Sequence, residues 1–283
     1  MNIQWYPGHM TRARRMMQDN IKLIDLVIEL VDARLPLSSR NPDIDELARG
    51  KSRMILLNKA DMADERVTAQ WEDWFRQQGL YVLRIDSRKK SDVKNITPVI
   101  AQACSEKIER DRKRGIKNRP VRAMIAGIPN VGKSTLINTF AGRSSAKTGN
   151  KPGVTRGAQW IKAGKNVEML DTPGLLWPRF DDPETGIRLA VSGSINDDIL
   201  NISDLAIWLI SYLKENYGSV IESRYNVSAG AERPEEILGD IALSRNCITK
   251  GGEPDPLRAA RILIDDFRSA RLGHISLEKP EKI

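Results

Sequence analysis

"AGIPNVGKST", residues 126–135, follows the apolar run "VRAMIAG" at 121–127 and opens a stretch with helical spacing from Gly132 to about Ala141. A buried strand passing through a glycine-rich turn into a helix is a building unit of a parallel α/β sheet. The stretch also fits G-x-x-x-x-G-K-[ST] in the strand–turn–helix context that pattern requires, which predicts a phosphate-binding loop. Gly127 and Gly132 let main-chain N–H groups wrap around phosphate oxygens, and the helix start adds the positive end of its dipole. Asn130, Val131, Gly132, Lys133, Ser134 and Thr135 are expected along the phosphate chain. Lys133 would neutralise the terminal phosphates and assist catalysis, and Ser134 would hold Mg²⁺.

Upstream, "DLVIELVDAR" at 25–34, "SRMILLNKAD" at 52–61 and "LYVLRIDS" at 80–87 read as buried strands, and downstream "VEMLDTPG" at 167–174 reads as the fifth. Helices are expected at 11–24, at 42–50 stopped by Gly50, at 64–78 ended by Gly79, and at 93–114. The late part of that last helix, 106–119, loses its apolar positions and gains Lys107, Arg110, Arg112 and Lys113, so it reads as a solvated basic helix end and linker. Beyond Pro178 the apolar residues recur only at helical spacing, as in Leu205, Trp208, Leu209 and Tyr212, with loops at 228–236 and 250–256. The expectation is a mostly parallel α/β domain over 1–178 and a small all-α domain over 179–283.

With 40% hydrophobic and 29% charged residues, the 283-residue chain has globular proportions. No stretch approaches the roughly 18 apolar residues of a membrane span, and the N-terminus lacks a secretory apolar core, so a cytoplasmic protein without a membrane partner is expected. Cys104 and Cys247 are too far apart for a metal pair and suit a reducing compartment. The net charge of +8 and pI near 9.5 raise the odds of a polyanionic partner.

Three further motifs converge on one site. Asp171-Thr-Pro-Gly174 ends an apolar strand, where the carboxylate can reach Mg²⁺ and the Gly174 N–H can sense a γ-phosphate. Thr155 in "KPGVTRG" at 151–157 can complete the Mg²⁺ shell from a glycine-flanked loop. Asn58-Lys59-Ala60-Asp61 follows a strand: the Asp61 carboxylate can accept from a guanine's N1–H and exocyclic amine, which adenine does not offer, so GTP and GDP are the expected ligands. Asn58 would bond the purine edge or brace the loops, and the Lys59 stem would lie over the base.

The phosphate loop stands after the base-reading motif in the chain, a permuted order. Through "WYPGHM", "VDARLPLSSRNP", "LNKADM", "GIPNVGKST", "KPGVTRG" and "DTPGLLWP" the sequence resembles the circularly permuted GTPases of the YlqF/YawG type over roughly 1–178, and more loosely in its helical tail. The resemblance implies a P-loop GTPase fold and a monomer acting on the large ribosomal subunit precursor and its rRNA, bound in the GTP state and released on hydrolysis. It also places Ser87, in "DSRKK" at 86–90, where the main chain approaches the guanine. A signalling GTPase with a protein partner and a nucleotide-gated RNA-binding module are the other readings.

Many GTPases place a Gln directly after DxxG to orient water; here that position is Leu175, so the catalytic group must come from elsewhere. His9, on a Pro-Gly turn, is the candidate, with packing or RNA contact as its plainer reading, which is also the one taken for His274. Asn130 stands where GTPases often use K⁺ beside the α- and γ-phosphates; otherwise it is a turn residue. Arg12, Arg14, Arg15, Arg258, Arg261, Arg268 and Arg271 could contact RNA phosphates. Because the segment from Thr155 to Gly174 runs straight into the tail, γ-phosphate binding is expected to reposition it.

Overall fold

The computed structural model describes residues 8–116, 119–142, 159–164 and 166–280. Six strands, β1 (Leu26–Asp32), β2 (Ser52–Asn58), β3 (Tyr81–Ile85), β4 (Val121–Ala126), β5 (Gln159–Lys162) and β6 (Val167–Asp171), form one sheet in the order β3-β2-β1-β4-β6-β5. All neighbours are parallel except β5, which pairs antiparallel with β6 at the edge. Every residue of β1 is buried, including Glu29 and Asp32 among its apolar residues, as expected of a central strand covered on both faces. In β5 only Ile161 is buried, so that edge strand carries almost no apolar signal, and the strand expected as the fifth is in fact β6.

The chain steps outward from β1 to β2 and β3, then crosses back to lay β4 on the other side of β1. That reversal makes a topological switch point, and crevices outside the carboxyl ends of strands at such points are where α/β sheets bind ligands. Asp32 at the end of β1 is level with Asn58 at the end of β2, and Ile125 of β4 is level with Asp171 of β6. The motifs scattered along the sequence thus meet at one sheet edge.

The helix expected over 93–114 is three short ones, Lys90–Lys94, Ile96–Ala103 and Ser105–Lys113. Pro98 has no N–H to return to the carbonyl of Lys94, which forces the first break; the second falls at buried Cys104, beside the Ala103 carbonyl that accepts from the Ser52 hydroxyl at 2.7 Å. The helix expected over 11–24 runs from Gly8 to Asn20 and tightens into a 3₁₀ turn at Ile21–Leu23.

After β6 come helices Pro183–Val191, Ile202–Asn216, Ser219–Tyr225, Pro234–Ser244 and Pro256–Arg268. The loop expected over 228–236 ends early because Pro234 starts a helix, where its missing N–H costs nothing and Glu235 and Glu236 suit the dipole. Leu205, Leu209, Leu263 and Phe267 from these helices join Leu26, Ile28 and Met124 of the sheet in one apolar cluster. Val31, Ile55 and Leu57 face the other way, onto Val67, Trp71 and Phe75 of helix Glu65–Gln77. The last described residues return to the sheet: Ile275 N–H donates to Met62 O (3.2 Å), Leu277 N–H to Arg34 O (2.6 Å), and Trp71 Nε1–H to Glu278 O (3.2 Å). Among the described residues no helix is long and apolar enough to cross a membrane.

Candidate nucleotide site

β4 delivers the chain into the loop 127–132, and helix Lys133–Ala141 starts directly after it. Gly132 is held at φ 107°, and a β-carbon there would lie 2.4 Å from Asn58 Nδ2. Only glycine fits that approach. Asn58 fills the space: Nδ2 donates to Val131 O at 2.7 Å, and Oδ1 accepts the Ser87 N–H at 2.9 Å. Of the two roles expected for Asn58, the brace between loops is the one occupied, and it uses the N–H of Ser87, the residue whose main chain is expected to approach the guanine.

Lys133 is buried, and its ammonium donates to Gly127 O (2.9 Å) and Ile128 O (2.7 Å) within the loop. Burial pushes its pKa down to about 8, against the upward pull of the Asp171 charge. Burial likewise pushes the Asp171 carboxyl up to about 6, opposed by Lys133 and by the Thr172 N–H. Asp171 Oδ1 is buried without a hydrogen-bond partner. A buried carboxylate oxygen with nothing to bind, at the phosphate loop, has the hard-ligand chemistry that Mg²⁺ takes, and the Ser134 hydroxyl in the first turn of the helix is of the same kind. The donor set therefore fits the ion. Gly174 packs on the loop so closely that a β-carbon would lie 2.7 Å from Pro129 N, which joins the DxxG segment to the phosphate loop.

Leu175 is buried, its N–H donating to Gly127 O at 3.2 Å and its carbonyl accepting from Asn41 Nδ2 at 3.1 Å. An apolar side chain so placed cannot align water. Asn130 adopts a left-handed φ of 57° and donates from Nδ2 to Gly193 O at 2.8 Å, a direct tie from the phosphate loop to the turn after helix Pro183–Val191.

On the base-reading side, Lys59 adopts φ 60° and sends its ammonium to Asp32 Oδ2 at 2.9 Å, so the stem expected over a base is anchored at its far end. Asp61 Oδ2 accepts from Arg88 Nη2 at 2.6 Å, while Asp61 Oδ1 is buried without a partner. Arg88 also chelates Asp86, tying the loop after β2 to that after β3. An unmatched acceptor on Asp61 is what a guanine edge needs.

Thr155 lies outside the described residues. His9 lies in helix Gly8–Asn20, but its side chain is outside the described residues as well. Val131 is buried and Thr135 half-buried in the loop and helix. One arginine expected to face RNA turns inward, Arg268, which donates to Ala190 O, Val191 O and both Asp197 oxygens, and Lys107, expected on a solvated basic helix end, sits instead between Asp25 (3.3 Å) and Asp111 (3.1 Å). Arg14 pairs with Asp43 and Arg271 with Asp266, while Arg12, Arg15, Arg258, Arg261 and His274 are exposed. Asp32, Asn41 and Arg88 were missed; Asp32 and Asn41 sit in "VDARLPLSSRNP", whose unusual density of Arg, Ser and Asn after a buried strand was the available signal.

A family model described as "50S ribosome-binding GTPase" matches residues 122–237. The chain is 46% identical over 281 residues to ribosome biogenesis GTPase A of Bacillus pumilus (strain SAFR-032), covering 99% of this chain and 100% of the relative. It is 33% identical over 305 residues to mitochondrial ribosome-associated GTPase 1 of Xenopus tropicalis, covering 97% and 94%. The GNP-bound structure of YlqF from T. maritima superposes with a TM-score of 0.63 at 27% identity, over 96% of this chain and 100% of that one. With the phosphate loop, the DxxG segment and the base-reading loop meeting at one sheet edge, the chain belongs to the ribosome biogenesis GTPase A family and hydrolyses GTP.

Proposed function

We propose that this GTPase is an assembly factor that binds the large ribosomal subunit precursor and its rRNA in the GTP state and leaves after hydrolysis, acting as a cytoplasmic monomer. The observation that carries the reading is the placement of the phosphate loop, the DxxG segment and the base-reading loop at the same ends of neighbouring strands, with Asp171 Oδ1 and Asp61 Oδ1 each buried without a hydrogen-bond partner and Lys133 buried within the field of Asp171. The names of the relatives support a ribosomal partner, and the charge of +8 suits a polyanionic one.

In this reading Asp61 selects guanine, Asn58 braces the loops, and the main chain of 130–135 with Gly174 surrounds the phosphates. Lys133 neutralises charge that grows on the transferred phosphoryl group. Ser134, Thr155 and Asp171 would hold Mg²⁺, which supplies charge neutralisation at the phosphates when bound. The Asn130 amide is the candidate K⁺ ligand. Since Leu175 cannot orient water, His9 takes that role once the ribosome presses the N-terminal segment onto the site.

Residues 1–178 form the GTPase unit and 179–283 the helical unit that contacts rRNA, with exposed Arg12, Arg15, Arg258 and Arg261 as phosphate contacts. Coupling between the two runs from Asn130 through Gly193 to Arg268, which caps the same turn. The test is co-sedimentation with large ribosomal subunits. Retention with a non-hydrolysable GTP analogue, loss with GDP and a steep fall with salt are expected. Indifference to subunits in both nucleotide states would point instead to a protein partner, and retention unchanged after hydrolysis to an RNA-binding module.

A further inference from the structure

The end of β1 holds a buried charge cluster that the catalytic reading leaves unused. Asp32 and Arg34 are each 1% exposed. Arg34 grips Asp32 through Nε (2.9 Å to Oδ1) and Nη2 (2.8 Å to Oδ2), and its main-chain N–H adds a third bond to Oδ1 at 3.1 Å. Lys59 Nζ completes the set on Oδ2 at 2.9 Å. The Asp32 N–H donates to Ser39 Oγ at 2.9 Å, which fixes the strand end beneath. Burial raises the Asp32 carboxyl, but the Arg34 and Lys59 charges and hydrogen bonds outweigh it and hold it far below the usual carboxylate range.

Lys59 stands between Asn58, which braces the phosphate loop, and Asp61. Its backbone is at φ 60° and ψ 32°, the left-handed region that a residue with a β-carbon avoids unless something holds it there. Main-chain bonds from Ala33 N–H to Asn58 O (2.8 Å) and from Met62 N–H to Lys59 O (2.9 Å) hold the turn from its backbone, and the Asp32 carboxylate, which makes the only ion pair of Lys59 among the described residues, holds it from its side chain. Arg34 is itself fixed from behind: Nη1 donates to Phe267 O at 3.4 Å, and its guanidinium lies 4.8 Å from the Phe267 ring centre. The anchor of the base-reading turn therefore rests on helix Pro256–Arg268.

We propose that Asp32 is a positioning residue of the guanine site: its carboxylate anchors the Lys59 ammonium and holds the 58–61 turn in the left-handed form that sets the reach of Asp61. This rests on Asp61 being the guanine acceptor. Asp32 touches no nucleotide atom and acts through Lys59, and its effect falls on base selection and leaves the phosphate contacts alone.

The test compares GDP and ADP affinities of the full-length protein by competition against a fluorescent nucleotide. Asp32→Asn should weaken GDP about tenfold and leave ADP unchanged, because only the base-reading turn is loosened. Lys59→Met, which keeps the stem and the Asp32–Arg34 pair but removes the ammonium, should lose the same factor, and the double variant should lose no more than either single one. Equal losses for GDP and ADP in Asp32→Asn, or losses that multiply in the double variant, would overturn the proposal. Should Asp32→Asn leave Arg34 too exposed in charge to fold, Lys59→Met decides alone, and wild-type GDP affinity in it overturns the anchor. Asp61→Asn separates the two ideas: it should abolish the preference for GDP over ADP, and a preserved preference would remove the base-reading role itself, whatever Asp32 does.

Discussion

Lys133 carries its charge where water does not reach, against the Gly127 and Ile128 carbonyls and within the field of Asp171. Lys133→Ala removes the one buried cation of the phosphate loop and should weaken GDP binding by roughly tenfold to a hundredfold or more, read by fluorescent-nucleotide titration. His9→Ala should behave oppositely, sparing GDP affinity and slowing ribosome-stimulated hydrolysis; equal stimulated rates for the variant and the parent would remove His9 from the mechanism. Gly132→Ala forces a β-carbon onto the Asn58 amide in a backbone conformation hostile to it. It should cost about 1–3 kcal/mol of stability in thermal unfolding and lose nucleotide binding with it. Lys133, Asp171 and Asp61 were legible in the sequence because each sits in a short motif at a strand end. Asn41 and Arg34 were not, since their partners, Leu175 and Phe267, lie far along the chain and only folding brings them close.

The strands show the same division between local and tertiary information. β1, β2 and β4 are read from composition because each is an apolar run buried in the sheet, whereas β5 is an exposed edge whose pairing partner defines it. The tail segment 275–278 was invisible for a further reason: it is neither helix nor strand, yet it docks by its backbone and by one carboxylate. Glu278 is buried, accepting from the Leu37 and Ser38 N–H groups and the Ser38 hydroxyl, with Arg188 Nη1 at 3.6 Å. Burial outweighs these partners and raises its pKa. The folded state then holds the proton more tightly than the unfolded chain, so this contribution to stability is full below the ordinary glutamate pKa and is lost as pH rises through the raised one. The Tm of the parent protein minus that of Glu278→Gln should therefore fall with rising pH across that window and flatten above it. A flat difference from pH 4 to 7 would mean the carboxyl titrates alike in both states.

For the whole molecule, chain order matters less than position in space. A parallel sheet keeps its neighbours when its termini are relocated, so the base-reading loop can precede the phosphate loop and still meet it at the β1–β4 switch point. The relocated order puts the DxxG segment directly before the helical unit, and the helical unit answers with two contacts from one helix end: Arg268 at the turn that Asn130 bonds, and Phe267 against Arg34. These contacts are the expected route by which nucleotide state and tail position are linked. The ribosome, by engaging the tail and the N-terminal segment, is expected to complete a site that Leu175 leaves short of a water-orienting group. The most direct measurement is the GTP hydrolysis rate of the purified protein in K⁺ buffer, with and without large ribosomal subunits. The account predicts stimulation of roughly a hundredfold or more; an unchanged rate from protein that binds GDP normally would contradict it.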